Sequence, residues 1–314
     1  MNNQFARDVL EGLTSPQKHL SSKYFYNQRG DELFQQIMEL DEYYLTRAEY
    51  EVLETYRQQI YELCSDGGKF RLIELGAGDG LKTKILLRHF LSQGCEFEYV
   101  PVDISANVLE TLEASLKAEF QSLNISPVCG DYFKVLCDLK EDHIEKSVVL
   151  FLGSNIGNFS EKDRNDFLSS MASSLKKEDV VLIGFDLKKD PQVIRDAYDD
   201  KKGVTRDFNL NILQRMNDEL GANFDLNEFV HYPTYNPVSG KAESHLLSKS
   251  KQSVRIDQLD SIIEFEEWEP IHLEISRKFS PKELLEMADK HSFKTIEHLT
   301  DKNKNFIDVL WQLQ

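Results

Sequence analysis

Five short apolar blocks punctuate the first two thirds of the chain: FRLIEL (70–75), FEYVPVD (97–103), ISPVCGD (125–131), SVVLFLG (147–153) and VVLIGFD (180–186). Unbroken runs of this length, rich in Val, Ile, Leu and Phe, read as strands buried on both faces. Between them lie LKTKILLRHFLSQG, ANVLETLEASLKAEF and EKDRNDFLSSMASSLK, whose apolar residues recur every three or four positions. That spacing predicts helices. Alternating strands and helices predict a parallel sheet with helices on both faces.

The flanking segments follow other rhythms. Residues 1–65 are read as a helical segment, with a stripe of Leu33, Phe34, Ile37, Met38 and Leu40. Thr46-Arg47-Ala48-Glu49 has the capping-box pattern, which predicts a helix from Thr46 to about Leu63. Residues 66–194 form the α/β core, and 195–280 a second, smaller α+β domain of antiparallel strands and turns. Residues 281–314 return to the core sheet, with a helix near Ser280-Pro281 and a closing hairpin from KTIEHLT and FIDVLWQL. In HLEISRKFS, Ile271, Leu273 and Ile275 alternate with His272, Glu274 and Ser276, so Glu274 and Ser276 should lie side by side on one strand face.

Charge and composition narrow the function. The 314 residues carry 37 basic and 54 acidic side chains, a net charge of −17, which argues against broad contact with nucleic acid or an anionic membrane. No apolar run reaches the ~18 residues of a membrane span, and the N-terminus lacks a signal-peptide layout. The four cysteines, Cys64, Cys95, Cys129 and Cys137, have no C-x-x-C spacing, and the eight histidines form no H-x-x-x-H or H-E-x-x-H pattern. A cytoplasmic monomer with free thiols and no metal is the expectation.

FRLIELGAGDGLKT is a strand, a glycine turn and a helix start, with Gly76, Gly78 and Gly80 in G-x-G-x-G order. Such a loop lets a ligand approach the backbone, and the helix start offers oriented N–H groups. The dinucleotide fingerprint needs a glycine where Leu81 stands, and the G-K-S/T of a P-loop is missing. Glu74 at the strand end suits a cation better than a pyrophosphate. Asp103 ends the next strand, placed for ribose hydroxyls, and Asp131 and Tyr132 end the third, placed near an adenine. Ligands of such sheets bind at the carboxyl ends of strands. The layout is that of a class I S-adenosylmethionine methyltransferase, a Rossmann-like doubly wound fold. The alternative is a tight turn beside helix-capping acids.

Longer motifs add to this. KYFYNQRGDELFQQIMELDEYYLTRAEYEVL, FLGSNIGNFS, AYDDKKGVTRDFNLNIL and EISRKF together resemble the histidine Nα-methyltransferases of ergothioneine biosynthesis, from about Leu13 to the C-terminus. The resemblance implies that Gly76, Lys82, Asp103, Asp131 and Tyr132 bind S-adenosylmethionine. It implies that Tyr43 contacts the substrate, that Asn158 and Tyr198 hold the amino acid's carboxylate, and that Tyr26 stands near its amine. Glu274 and Ser276 match the pair that grips the imidazole. Where the histidine enzyme lines its side-chain pocket with a methionine, the segment KAESHLL places Ser244, a departure that leaves the exact amino acid open.

The implied activity is N-methylation of an amino acid's α-amine, with L-histidine and its trimethylated betaine, hercynine, as the expected substrate and product. The rivals are a methyltransferase of the same family acting on another amino acid or small amine, and a non-catalytic binder of the methyl donor. Read without the resemblance, Tyr26 and Tyr43 also fit helix-packing aromatics, Asn158 a turn residue and Tyr198 a helix surface.

Overall fold

The computed structural model describes residues 4–65, 68–132, 135–136 and 146–314; Cys137 lies outside them. In chain order the elements are α1 (Gln4–Thr14), α2 (Gln28–Met38), α3 (Tyr44–Cys64), β1 (Phe70–Leu75), α4 (Thr83–Ser92), β2 (Phe97–Asp103) and α5 (Ala106–Glu119). There follow β3 (Asn124–Ile125), β4 (Val128–Cys129), β5 (Lys146–Phe151), α6 (Glu161–Ser174), β6 (Val180–Asp186), α7 (Pro191–Tyr198) and α8 (Val204–Leu220). The remainder is β7 (Phe229–Asn236), β8 (Lys241–Ser248), β9 (Gln252–Ile256), β10 (Ser261–Phe265), β11 (Pro270–Arg277), α9 (Pro281–Lys290), β12 (Phe293–Thr300) and β13 (Phe306–Leu313).

These elements form two compact units. One comprises Leu45–Leu187 with Lys278–Gln314, the other Met1–Tyr44 with Lys188–Arg277. The divisions fall at 44/45, 187/188 and 277/278, whereas the apolar pattern placed them at 65/66, 194/195 and 280/281. The largest difference comes from α3. Its residues Val52, Leu53, Ile60 and Cys64 are buried with Leu72 and Val148 of the sheet, so nearly the whole helix belongs to the sheet unit.

The sheet unit carries strands in the order β12-β13-β6-β5-β1-β2, with β3 and β4 both pairing with β2. β1, β2, β5 and β6 run parallel, while β13 is antiparallel to both neighbours. Every residue of β1 and β6 is buried, as expected of central strands covered on both faces, and β1 buries Arg71 and Glu74 among its apolar residues. Val52, Ile85, Leu86, Leu112 and Leu116 cover one face; Phe167, Leu168, Met171, Leu284 and Ala288 cover the other. The strand expected in ISPVCGD is split into β3 and β4. Pro127 has no N–H to donate and interrupts the ladder.

The other unit has a three-stranded antiparallel sheet, β11-β8-β7, and the hairpin β9–β10. Its core joins Phe5 and Val9 of α1, Leu33 and Ile37 of α2, Phe208, Ile212 and Met216 of α8, and Phe229, Leu246 and Ile271 of the sheet. Two local expectations change. The long helix starts at Tyr44, not Thr46, and Glu49 turns its carboxylate away from any cap. A capping box does occur at Ser280, whose side chain accepts from the Glu283 N–H while Glu283 accepts from the Ser280 N–H.

Strand β11 departs from simple alternation. His272 stands opposite His245, yet Glu274 stands opposite the very next residue of β8, Ser244. Leu273 is therefore an extra residue, a β-bulge. It leaves Glu274 and Ser276 on one face, with Ser244 and Ala242, and turns His272 to the other.

Candidate active site

In the sheet unit the strand order reverses at β1, flanked by β2 and β5, and the crevice at this switch point is where such sheets bind ligands. The backbone N–H groups of Gly76 and Ala77 both donate to the Val102 carbonyl, at 2.8 and 3.2 Å, fixing the loop to the end of β2. Gly76 has φ +74°, and a Cβ there would lie 2.7 Å from the Tyr132 hydroxyl, so glycine alone lets loop and phenol meet. At Gly78 a Cβ would meet nothing within 4 Å. The Asp103 carboxylate accepts from the Gly78 N–H at 3.3 Å and the Ser105 N–H at 3.0 Å. Burial first, then Asp103 and Asp131, push the Tyr132 phenol up to about 12, so it remains a neutral donor.

Below the loop, Glu74 is buried and accepts from the hydroxyls of Thr83 and Tyr99. Burial pushes its carboxyl up to about 7 against those hydrogen bonds. Glu74 thus ties the start of α4 to β1 and β2. Lys82 donates to the Glu49 carboxylate, which also accepts the Gly153 N–H at 2.7 and 3.0 Å. These residues fit a nucleoside bearing a charged amino-acid arm: a carboxylate for the ribose diol, Asp131 and Tyr132 beyond it, and an ammonium for a carboxylate.

The turn after β5 holds Asn155 and Asn158 at the two ends of a short 3-10 helix. Asn158 is exposed. The residue brought to the glycine loop is Asn155, whose Nδ2 would lie 3.6 Å from a Cβ at Gly76 and 3.4 Å from one at Gly153. Ser154 precedes it with φ 57°, and its hydroxyl accepts from the Asp186 N–H at 2.9 Å.

In the other unit, the Tyr198 hydroxyl donates to Ser276 Oγ at 2.8 Å. His231 Nε2 lies 2.9 Å from the Tyr198 carbonyl and steadies the end of α7. Ser244 and Ser276 are buried, and Glu274 is half-buried. Ser244, Glu274 and Ser276 thus form a polar patch on one sheet face, and Tyr198 at the end of α7 reaches it through Ser276. Tyr26 and Tyr43 each pack edge-on against Phe34, with centroids 5.6 and 6.4 Å apart, and Tyr26 is 46% exposed. Asn27, beside Tyr26, caps α2 by accepting from the Gly30 N–H at 2.8 Å, which fixes the approach of the Tyr26 backbone.

Sequence reasoning missed Glu49 and Asn155. Glu49 looked like a helix cap, and Asn155 shares its turn with Asn158; only the fold brings either to the loop. Among the described residues no cluster of three or more His, Cys, Asp or Glu side chains is arranged to hold a metal ion, and no helix is long and apolar enough to cross a membrane.

A doubly wound sheet of this order, with a reversed strand β13, a glycine loop after β1 and acids following β2 and β4, defines a class I S-adenosylmethionine-dependent methyltransferase. Residues 5–313 match the family described as histidine-specific methyltransferase, SAM-dependent, and the chain belongs to that family. It is 39% identical to the histidine N-alpha-methyltransferase of Mycolicibacterium smegmatis over 284 residues, 90% of this chain and 87% of the relative. Identity to the Mycobacterium tuberculosis protein of the same name is 37%, over 88% of this chain and 84% of that one. Ergothioneine biosynthesis protein 1 of Schizosaccharomyces pombe is 32% identical over 92% of this chain and 39% of its own length.

Replacing Asp103 by Ala removes a charged acceptor from the end of β2. Affinity for S-adenosylmethionine is expected to fall roughly 10–100-fold, the worth of one charge-assisted hydrogen bond. Unchanged affinity by calorimetry would remove Asp103 from the site.

Proposed function

We propose that the protein methylates the α-amine of L-histidine with S-adenosylmethionine and carries it through to the trimethylated betaine, hercynine. The observation that carries this reading is the polar patch of Tyr198, Glu274 and Ser276. Glu274 accepts one imidazole N–H, and Ser276 serves the other ring nitrogen, since a hydroxyl both donates and accepts. The family's description and the names of its relatives support the same substrate. Asp103, Asp131, Tyr132, Lys82 and the turn at Gly76 are the proposed cofactor contacts. Asn158 and Tyr198 are proposed for the substrate carboxylate, and Tyr43 for a further contact.

S-adenosylmethionine, when bound, supplies an activated methyl group. What the chain adds is alignment and exclusion of water. Only a neutral amine attacks, so each of the three rounds requires a proton to leave, and Tyr26, half-exposed on its aromatic support, is the proposed group beside that amine. A monomer in the cytoplasm, acting on a free amino acid and not on nucleic acid or membrane, belongs to this reading and accords with the net charge of −17.

The test is a mass-spectrometric assay of enzyme and S-adenosylmethionine with each of the twenty amino acids. Histidine is expected to gain one, two and three methyl increments in succession. Product on another amino acid with none on histidine would reassign the substrate, and no product on any would leave only cofactor binding.

A further inference from the structure

Glu49 is 1% exposed and lies on α3, outside the glycine loop and both strand-end acids. Its carboxylate has two partners at the switch point. It accepts the Gly153 N–H with both oxygens, and it accepts a hydrogen bond from Lys82 Nζ. Lys82 comes from the loop after β1 and Gly153 from the turn after β5, so one carboxylate joins the two sides of the crevice. A Cβ at Gly153 would lie 3.3 Å from Lys82 Nζ, which shows how closely the ammonium is drawn to this turn.

The neighbourhood is built around the Glu49 carboxylate. Gly184 of β6 stands directly opposite Asp308 of β13. A Cβ at Gly184 would lie 2.3 Å from Glu49 Oε1 and 3.0 Å from Asp308 Oδ1. Any larger residue would expel one carboxyl. Neither Asp308 oxygen has a hydrogen-bond partner, and the side chain is fully buried. Burial, then repulsion from Glu49, hold Asp308 well above the usual carboxylate range despite Lys82. Of the two neighbouring carboxyls, Glu49 is the one to which the Lys82 ammonium donates. On the Lys82 side, burial works against the charge, but Glu49 outweighs it and raises the Lys82 pKa, so the ammonium persists.

We infer that Glu49 is a positioning residue for cofactor binding: it holds the Lys82 ammonium at the Gly153 turn, where it meets the α-carboxylate on the amino-acid arm of the methyl donor. This rests on the reading of the crevice as the S-adenosylmethionine site. The long side chain of Lys82 would otherwise sample many rotamers, and an ammonium fixed in advance loses less entropy when the ligand arrives. Glu49 reaches the ligand only through Lys82, so its effect should depend on the ligand's carboxylate and vanish without Lys82.

The test compares two ligands by calorimetry. S-adenosylhomocysteine carries the amino-acid arm; 5′-methylthioadenosine has the same nucleoside thioether without it. In Glu49→Gln the amide oxygen still accepts from Gly153, but the charge on Lys82 loses its partner. Affinity for S-adenosylhomocysteine should fall about tenfold, and that for 5′-methylthioadenosine should stay within twofold of wild type. An equal fall for both ligands would mean a merely structural role, and no fall for either would remove Glu49 from the site; both overturn the inference. Failure of wild type to bind either ligand would instead overturn the cofactor reading. A second comparison guards against loss of fold in the single variant. Lys82→Met and Lys82→Met/Glu49→Gln should bind S-adenosylhomocysteine equally, and a further loss in the double variant counts against the inference.

Discussion

Lys278→Met should destabilise the protein by about 3–5 kcal/mol, the cost of leaving one member of a buried ion pair without its partner. Lys278 Nζ lies 2.7 Å from Asp186 Oδ2, and both side chains are wholly buried. The surroundings hold the pair in place. The Asp186 N–H donates to Ser154 at 2.9 Å, and its carbonyl accepts from the Phe279 N–H at 2.9 Å. The carboxylate thus cannot move to water without undoing the end of β6. The double variant Asp186→Leu/Lys278→Met removes both charges and should recover most of the loss, because a buried pair gains little over apolar residues of similar volume. Chemical denaturation of wild type and the two variants measures this. A single variant that loses less than ~1 kcal/mol would mean that Asp186 has another charge partner.

Glu274→Ala should reduce kcat/KM for histidine roughly 10–100-fold while leaving S-adenosylhomocysteine affinity unchanged. The two readouts separate because Glu274 lies in the Lys188–Arg277 segment and the glycine loop in the other unit. Loss of the carboxylate removes an acceptor for an imidazole N–H. It also widens the patch beside Ser244, a small residue directly across the strand. Activity toward leucine should rise relative to histidine, since a buried unmet acceptor penalises ligands that cannot donate to it, and tryptophan, whose indole N–H can donate, should gain less. Steady-state assays on the three amino acids decide the matter. If the variant methylates histidine as well as wild type does, Glu274 and Ser276 are only the polar side of a strand.

Much of this architecture was legible in the sequence because parallel strands buried on both faces are predominantly apolar runs. FRLIEL and VVLIGFD became β1 and β6 for that reason, and the glycines after β1 marked the turn between strand and helix. Asp103 stands, as its sequence position suggested, at the end of such a run. The bulge at Leu273 was not legible. Leu273 is apolar and 2% exposed, just as simple alternation requires, and only the cross-strand register with His245 and Ser244 reveals the extra residue. Glu49 was hidden by a local pattern, three residues after a threonine, that fits a helix cap equally well. Its partners Lys82 and Gly153 lie 33 and 104 positions away along the chain, beyond the reach of any local rule. Pro127 could have warned that the third strand would break, because proline interrupts a ladder wherever it falls.

The division of the chain sets an order for its synthesis. The unit that contains Tyr26 and Tyr43 begins at the N-terminus, but its sheet and α8 arrive only with Lys188–Arg277. During translation at ~5–20 residues per second, α1 and α2 must wait on the order of ten seconds or longer for the residues they pack against. Over that interval Phe5, Val9, Leu33 and Ile37 lack their final burial while the first strands of the other unit emerge. The sheet unit is also incomplete until β13 enters between β6 and β12, so each unit waits for a segment that is made long after its first residues.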